Sequence, residues 1–325
     1  MAESKIPVDL FNPGQVFACL GFMELADVLL GDAEAGFDWS NPKQPVFHLK
    51  AGGVEAQTPV ETVFDYLVNA SVERVVPLGY VEPPKKKADS GDEDDEGEDE
   101  TDSDEETGAP GSVSLTGGSE TFPAKAADAL SLPVRLSVTD RPSVELGHWA
   151  DGSGRNTFKL YSGNRSAERI ARTMLTGVRE KPKKGQSIGD FKYKGIAQLW
   201  QEKKDELITK PFDVMTPIGG SFNFDPRGAW TALDAGYSPN TQKHGVAASP
   251  IVHLLAACGL EHTRPVEFGV RQARYAVWGG MLPLALARVA FQDGIPFLPT
   301  LQFRFELALS GKNKIVTFAQ QEKTQ

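Results

Sequence analysis

From Pro13 to Leu30 the apolar positions fall at helical spacing: Val16, Phe17, Leu20 and Met23, then Val28, Leu29 and Leu30. The stretch is apolar on most sides and holds the small residues Ala18, Cys19 and Gly21, the pattern of a core helix. Asn12 suits its N-cap, Pro13 fits the first helical position, where a missing N–H costs nothing, and Gly31 suits its stop. Thr58-Pro59-Val60-Glu61 carries the elements of a capping box, so a second helix is expected over about 59–69. Residues 45–50 and 132–138 read as short strands, and Phe158-Lys-Leu-Tyr161 as another. Ser162-Gly163-Asn164 is a turn into a helix over Ser166 to Leu175, with Ile170 and Leu175 left for packing. Residues 181–195 are rich in Lys and Gly and are expected to form a mobile loop, followed by a helix near 195–208. Gly219 to Asp225 reads as a strand after a turn, Ile251 to Cys258 as a buried helix ended by Gly259, and Leu282 to Phe291 as an apolar helix or a strand pair. Partial alternation over Phe303–Leu309 and Lys314–Phe318, about Ser310-Gly311, predicts a terminal hairpin. The expected fold class is α+β, with mixed helices and antiparallel strands.

Charge changes this picture. The chain has 325 residues and a formal net charge of −10. Thirteen acidic residues and no basic one lie between Ala88 and Pro110. The rest of the chain holds all 34 basic residues and 31 acidic ones, a net of +3. The acidic tract follows Pro83-Pro84-Lys85-Lys86-Lys87, has few apolar side chains and repels itself, so burial cannot offset the entropy of ordering it. Residues 83–120 are therefore expected to be a disordered acidic loop inserted into one α+β body, whose other parts are 1–82 and 121–325. The basic excess concentrates between Arg155 and Lys210, with fourteen Lys or Arg against six Asp or Glu.

Composition removes several classes. With 40% hydrophobic residues the chain cannot be wholly disordered. Cys19 and Cys258 both sit in apolar runs, which points to buried reduced thiols, no disulfide framework, no zinc quartet and a cytoplasmic setting. The N-terminus shows no apolar signal core, and no run of about 18 uninterrupted apolar residues suggests a membrane span. No phosphate-binding loop, dinucleotide fingerprint, nucleophile elbow or zinc-protease motif occurs. Cys258 and His262 are the one pair of potential ligands at helical spacing, a fragment of a site at most. His253 reads as a packed histidine, and Phe224-Asp225-Pro226-Arg227 as a structural turn. No catalytic residue, metal or cofactor is expected.

The basic region carries the most chemistry. A turn into a helix N-terminus offers free N–H groups and a favourable dipole to phosphate. Ser162 and Asn164 lie in that turn, and Arg165, Arg169 and Arg172 recur four and three apart, along one helix face. Lys183 and Lys184, then Lys192 and Lys194 around Tyr193, mix charge with an aromatic ring, the combination that tracks a sugar–phosphate backbone and stacks bases. Arg155 and Lys159 could serve the same surface, whereas Trp200 reads as core.

Several stretches together resemble a known family. They are Ile6-Pro-Val-Asp-Leu-Phe-Asn-Pro-Gly-Gln-Val-Phe-Ala-Cys-Leu-Gly21, Glu24-Leu-Ala-Asp27, Gly36-Phe-Asp-Trp39, Phe222-Asn-Phe-Asp-Pro-Arg-Gly-Ala-Trp230, Asp234-Ala-Gly-Tyr-Ser-Pro239, Leu255-Ala-Ala-Cys-Gly-Leu260 and Arg264-Pro265. As a set they resemble the CRISPR-associated large-subunit-like family of the Dpsyc type I systems, assigned to subtype I-U and later I-G. The resemblance implies a non-catalytic, nucleic-acid-binding subunit of a crRNA-guided surveillance (Cascade) complex. Its implied partners are the other type I effector subunits, crRNA and target DNA, with a helicase–nuclease recruited. In such complexes base pairing carries sequence specificity, while protein supplies backbone contacts and reads the short motif beside the target. The chain is short for a large subunit. A backbone subunit binding crRNA through a ferredoxin-like core of the repeat-associated (RAMP) type is the alternative. A metal-dependent nuclease and a pure protein scaffold are the readings from other classes.

Overall fold

The computed structural model describes residues 1–53, 57–78, 80, 115–119, 131–150, 158–161, 165–182, 188–228, 247–310 and 313–322. Six helices are described: α1 (Pro13–Leu30), α2 (Pro59–Asn69), α3 (Ala167–Thr176), α4 (Ile196–Thr209), α5 (Pro250–Gly259) and α6 (Leu284–Phe291). The strands are β1 (Ala2–Pro7), β2 (Glu34–Asp38), β3 (Val46–Ala51), β4 (Ser71–Pro77), β5 (Leu115–Ser119), β6 (Val134–Ser137), β7 (Val144–Leu146), β8 (Val178–Arg179), β9 (Phe191–Tyr193), β10 (Thr216–Pro217), β11 (Ala247–Ala248), β12 (Val266–Gly269), β13 (Gln272–Trp278), β14 (Leu282–Pro283), β15 (Thr300–Ser310), β16 (Asn313–Val316) and β17 (Gln320–Gln321). The fold is α+β.

Three sheets carry the body. The first runs β1-β3-β2-β14 and is antiparallel throughout. The second runs β5-β4-β6-β7, with β4 and β5 parallel. The third runs β12-β13-β15-β16, and β17 also pairs with β15. A bridge from Phe37 to Gly279 and a 2.9 Å hydrogen bond from Trp278 Nε1 to the Ala35 carbonyl join the first sheet to the third.

Local signals explain the helix starts. Asn12 accepts a hydrogen bond from Gln15 N at the foot of α1, Thr58 and Glu61 cap α2 reciprocally, and Ser249 accepts one from Val252 N in α5. Gly31, at φ +75°, closes α1 by donating its N–H to the Asp27 carbonyl at 2.9 Å.

Packing explains why α1 is apolar on most sides. Pro13 through Ala26 are all buried, as is the whole of α5. The two helices cross at glycines: a Cβ on Gly21 would overlap the Leu255 carbonyl, and one on Gly259 would overlap the Phe17 carbonyl. Gly259 is thus the last residue of α5 and a point of close approach, where a stop just beyond the helix was expected. On one side of α1, Phe17 meets Tyr275 and Phe305 of the third sheet at 5.8 and 5.9 Å between ring centres. On another, Phe22 meets Phe64 of α2 at 5.7 Å, and Phe64 stacks on Trp200 of α4 at 5.2 Å. Each fully buried aromatic or aliphatic side chain here contributes roughly 1.5–3 kcal/mol. By length and composition α1 could cross a membrane, and here 78% of it is buried inside the fold.

Some expected elements differ. Phe158 to Tyr161 and Gly219 to Asp225 are irregular: Tyr161, Phe222 and Phe224 join one ring cluster in place of a ladder, while Phe158 packs toward Phe305 at 6.5 Å between ring centres. Phe222 stacks on Trp149 at 5.4 Å, and Tyr161 meets both rings edge-on at 5.6 Å. Residues 181–195, expected as loop, hold β9, which pairs with β8 just before them. Leu282 to Phe291 divides into β14 and α6. The terminal hairpin forms as β15–β16, with Leu307 opposite Val316. Of the acidic segment 83–120, only β5 lies within the described residues. The chain leaves that segment's near side in β4 and resumes in β6, its antiparallel neighbour, where Val75 N donates to the Pro133 carbonyl at 2.9 Å.

Candidate nucleic-acid interface

The basic region is organised by α3. Ser166 caps it by accepting from Arg169 N at 3.2 Å. Ala167, Ile170, Ala171, Met174 and Leu175 are buried, which leaves Arg165, Arg169 and Arg172 on the exposed side. Gly177 ends the helix at φ +72°, and its N–H reaches the Thr173 carbonyl at 2.9 Å. The β8–β9 pair then returns Lys192, Tyr193 and Lys194 to the same helix end, with Val178 opposite Tyr193. A glycine pair connects the two ends of this unit. A Cβ on Gly220 would stand 2.6 Å from Arg165 Nη1, and one on Gly219 would stand 2.6 Å from the Tyr193 ring. Arg165 and Tyr193 therefore flank one narrow turn.

The cations are not equivalent. Glu168, on α3, receives Arg74 Nε at 3.1 Å and also pairs with Arg172. Arg172 additionally donates to the Val72 carbonyl at 3.3 Å. Lys194 is held by Glu202 at 2.6 Å. Lys159 is half-buried, donates to the Ser131 hydroxyl and lies 5.4 Å from the Tyr161 ring centre. Lys192 is exposed, with Nζ 5.7 Å from the Tyr193 ring centre. Arg165 and Arg169 are exposed and have no acidic partner among the described residues. The evenly spaced arginine stripe is thus uneven in effect: two guanidiniums are available, and the third is partly committed to Glu168. Arg155, Ser162, Asn164, Lys183 and Lys184 lie outside the described residues.

Sequence reasoning missed two participants. Arg179 lies 3.7 Å over the Phe191 ring and donates to the Gly189 carbonyl at 3.0 Å, so it rigidifies the hairpin. Arg74, almost fully buried, holds Glu168 from the second sheet. The Arg74 pairing has no local signal, since Arg74 and Glu168 are far apart in the chain.

A second polar cluster is internal. Asn12 Nδ2 donates to Asp225 Oδ1 at 3.1 Å, and Arg227 grips the same carboxylate at 2.7 and 3.0 Å. Burial alone would raise the Asp225 pKa, but the hydrogen bonds and charge of Arg227 outweigh it and hold the group below its ordinary value. The Phe224–Arg227 segment is a structural turn that continues into a short 3-10 turn at Pro226–Gly228. Next to it, His253 Nδ1 accepts from Phe224 N at 3.2 Å, which places a neutral ring's proton on Nε2. Burial pushes the His253 pKa down to about 4. Cys258 is buried while His262 is exposed. Among the described residues, no group of three or more His, Cys, Asp and Glu is placed to hold a metal ion.

These clusters gather the stretches singled out in the sequence. Asn12 meets Asp225, Gly21 meets Leu255, and Gly259 meets Phe17. Glu24 receives Arg288 of α6 at 2.7 Å. Asp234 to Pro239 lies outside the described residues. Comparison of the chain with protein-family models, curated proteins and solved structures finds no match.

Proposed function

We propose that the chain is a non-catalytic nucleic-acid-binding subunit of a type I CRISPR crRNA-guided surveillance complex, large-subunit-like in role. It works in the cytoplasm with the other effector subunits, crRNA and target DNA, and recruits the helicase–nuclease. The observation that carries the nucleic-acid part is the exposed pair Arg165 and Arg169, without acidic partners among the described residues, with Arg165 and the Tyr193 ring on either side of Gly219–Gly220. Two available guanidiniums, one of them near a ring, suit a phosphate backbone with an adjacent base. The CRISPR part rests on the sequence resemblance. Three of the stretches behind it, 6–21, 222–228 and 255–260, meet around the α1–α5 crossing, which fits a shared scaffold and not a shared active site.

A second reading has an observation of its own. The succession β1-α1-β2-β3-α2-β4, with β1-β3-β2 antiparallel, is that of a ferredoxin-like unit up to its last strand. In such a unit the fourth strand would flank β1, whereas here β4 belongs to the second sheet. The match favours a backbone subunit that binds crRNA, and the departure favours the large-subunit role. Residues 83–120 are read as an acidic insertion between the adjacent strands β4 and β6.

Co-expression with the neighbouring genes and crRNA, followed by pull-down on this protein, tests the proposal. Recovery of a crRNA-containing complex with one copy of the chain supports the large-subunit role. Several copies support the backbone role. Recovery of the protein without RNA or partners contradicts both.

A further inference from the structure

The third sheet carries a charge arrangement that its own packing does not account for. In the antiparallel register of β13 and β15, Arg274 stands directly opposite Arg304, and both are exposed. Like charges directly opposite each other destabilise a sheet. Neither arginine has an acidic partner among the described residues. Arg304 Nη2 reaches only Gln320 Oε1 of β17, at 3.4 Å. The Arg274 guanidinium carbon lies 5.9 Å from the ring centre of Phe268 on β12, a ring that is about half exposed. Acids bracket the pair without neutralising it. Glu306 lies two residues along β15 on the same face, opposite Gln272, and Asp293 accepts hydrogen bonds from Thr300 and Gln302 on the other side. The positive strip is therefore two arginines wide and closed at both ends, a size that fits one phosphate and not a long run of backbone.

We propose that Arg274 and Arg304 clamp a single phosphodiester of a nucleic-acid strand lying across this sheet, with Phe268 offering its ring to the neighbouring base. The two guanidiniums are rooted at directly opposed positions, with Arg274 leaning toward Phe268 and Arg304 toward Gln320, so both forks must turn inward to close on one anion. An aromatic ring beside a phosphate contact is the usual unit of single-strand binding. The inference rests on the nucleic-acid reading above and adds a second contact, on a different element from α3. The phosphate can come from RNA or from DNA, because guanidinium chemistry does not separate them.

The test is fluorescence anisotropy of the full chain with labelled single strands of about 16 nucleotides, one uridine RNA and one thymidine DNA. For the double variant Arg274→Gln, Arg304→Gln, the slope of log affinity against log salt is expected to become shallower by about 0.7, one phosphate's share on a single strand. Affinity at low salt should fall about tenfold. The urea midpoint should stay the same or rise, because a repulsive pair has been removed. The Arg274→Lys, Arg304→Lys variant keeps the charge and should restore the slope. The strand that shows the change, RNA or DNA, identifies the source of the phosphate. Unchanged slope and affinity on both strands, with binding still lost in Arg165→Glu, Arg169→Glu, would overturn the clamp and leave the α3 reading standing. If the unaltered protein binds neither strand, both fall.

Discussion

Asn12 and Asp225 lie 213 positions apart and share a 3.1 Å hydrogen bond at the buried foot of α1. Asn12 uses its side-chain oxygen to cap the helix and its side-chain nitrogen to hold a carboxylate that Arg227 also grips. One residue thus fixes where the central helix starts and where the Phe224–Arg227 turn sits. Asn12→Ala removes a cap worth about 1 kcal/mol and a charged hydrogen bond worth about 1.5–3 kcal/mol. Unfolding in urea should show a loss of roughly 2–4 kcal/mol, and Asn12→Ser, which keeps a capping oxygen, should lose less.

The glycine crossing should be the least tolerant point of the core. Gly21→Ala would drive a methyl group into the Leu255 carbonyl, which is backbone and cannot swing aside. Forcing two packed helices apart costs about 1–3 kcal/mol, occasionally more. A thermal melt should show a marked fall in Tm for Gly21→Ala, and none of that size for Ala18→Ser, next to it on the helix.

These two predictions mark what was legible in the sequence. The starts of α1, α2 and α3 were readable because caps are local: Asn12-Pro13, Thr58 with Glu61, and Ser166 all act within a few residues. The partners of α1 were not readable, because Asp225 and Leu255 reach it only through tertiary packing. Phe158 to Tyr161 and Gly219 to Asp225 looked like strands, since aromatic alternation suits a ladder, yet Tyr161 and Phe222 cluster on Trp149 and Phe158 turns to Phe305. β1, β2 and β13 went unread; β13 ends in four consecutive buried residues, so its alternation is lost where the first sheet covers it. At the site, charge and spacing were legible and availability was not. The pairing of Glu168 with Arg74 and Arg172 depends on β4 lying against α3.

Acid should weaken the fold through His253. Its pKa lies near 4 in the folded protein, below the ordinary histidine value of 6.5, because burial disfavours the charged ring. The unfolded chain therefore binds a proton that the folded one refuses between those values. Stability falls as pH drops from about 6.5 toward 4, by up to about 3 kcal/mol from this group. Urea midpoints across that range should decline less steeply in His253→Gln than in the unaltered protein.

Arg172 and Arg169 should separate stability from binding. Arg172→Glu faces Glu168 with a second carboxylate and leaves Arg74 in a disputed pair, costing about 1 kcal/mol. Arg169→Glu meets no such neighbour among the described residues and should leave the urea midpoint nearly unchanged while weakening nucleic-acid binding more. Equal effects of the two on binding would mean that Glu168 does not commit Arg172.

Deletion of Asp89 to Glu106 tests the insertion reading. Because β4 and β6 pair directly on either side of it, the shortened chain should fold with an unchanged urea midpoint. It should also bind nucleic acid more tightly at low salt, since an acidic tract competes for the basic face. No change in binding would make the tract a solvated loop without that role.

The central claim is that the exposed side of α3 meets a nucleic-acid backbone. Its most direct test is the salt dependence of single-stranded RNA and DNA binding by the full chain and by Arg165→Glu, Arg169→Glu, with matched urea midpoints confirming that both are folded. The variant should lose at least about tenfold in low-salt affinity, and its salt slope should become shallower by about 1.4, two phosphates' share. Equal affinity and equal slope for the two proteins would contradict it.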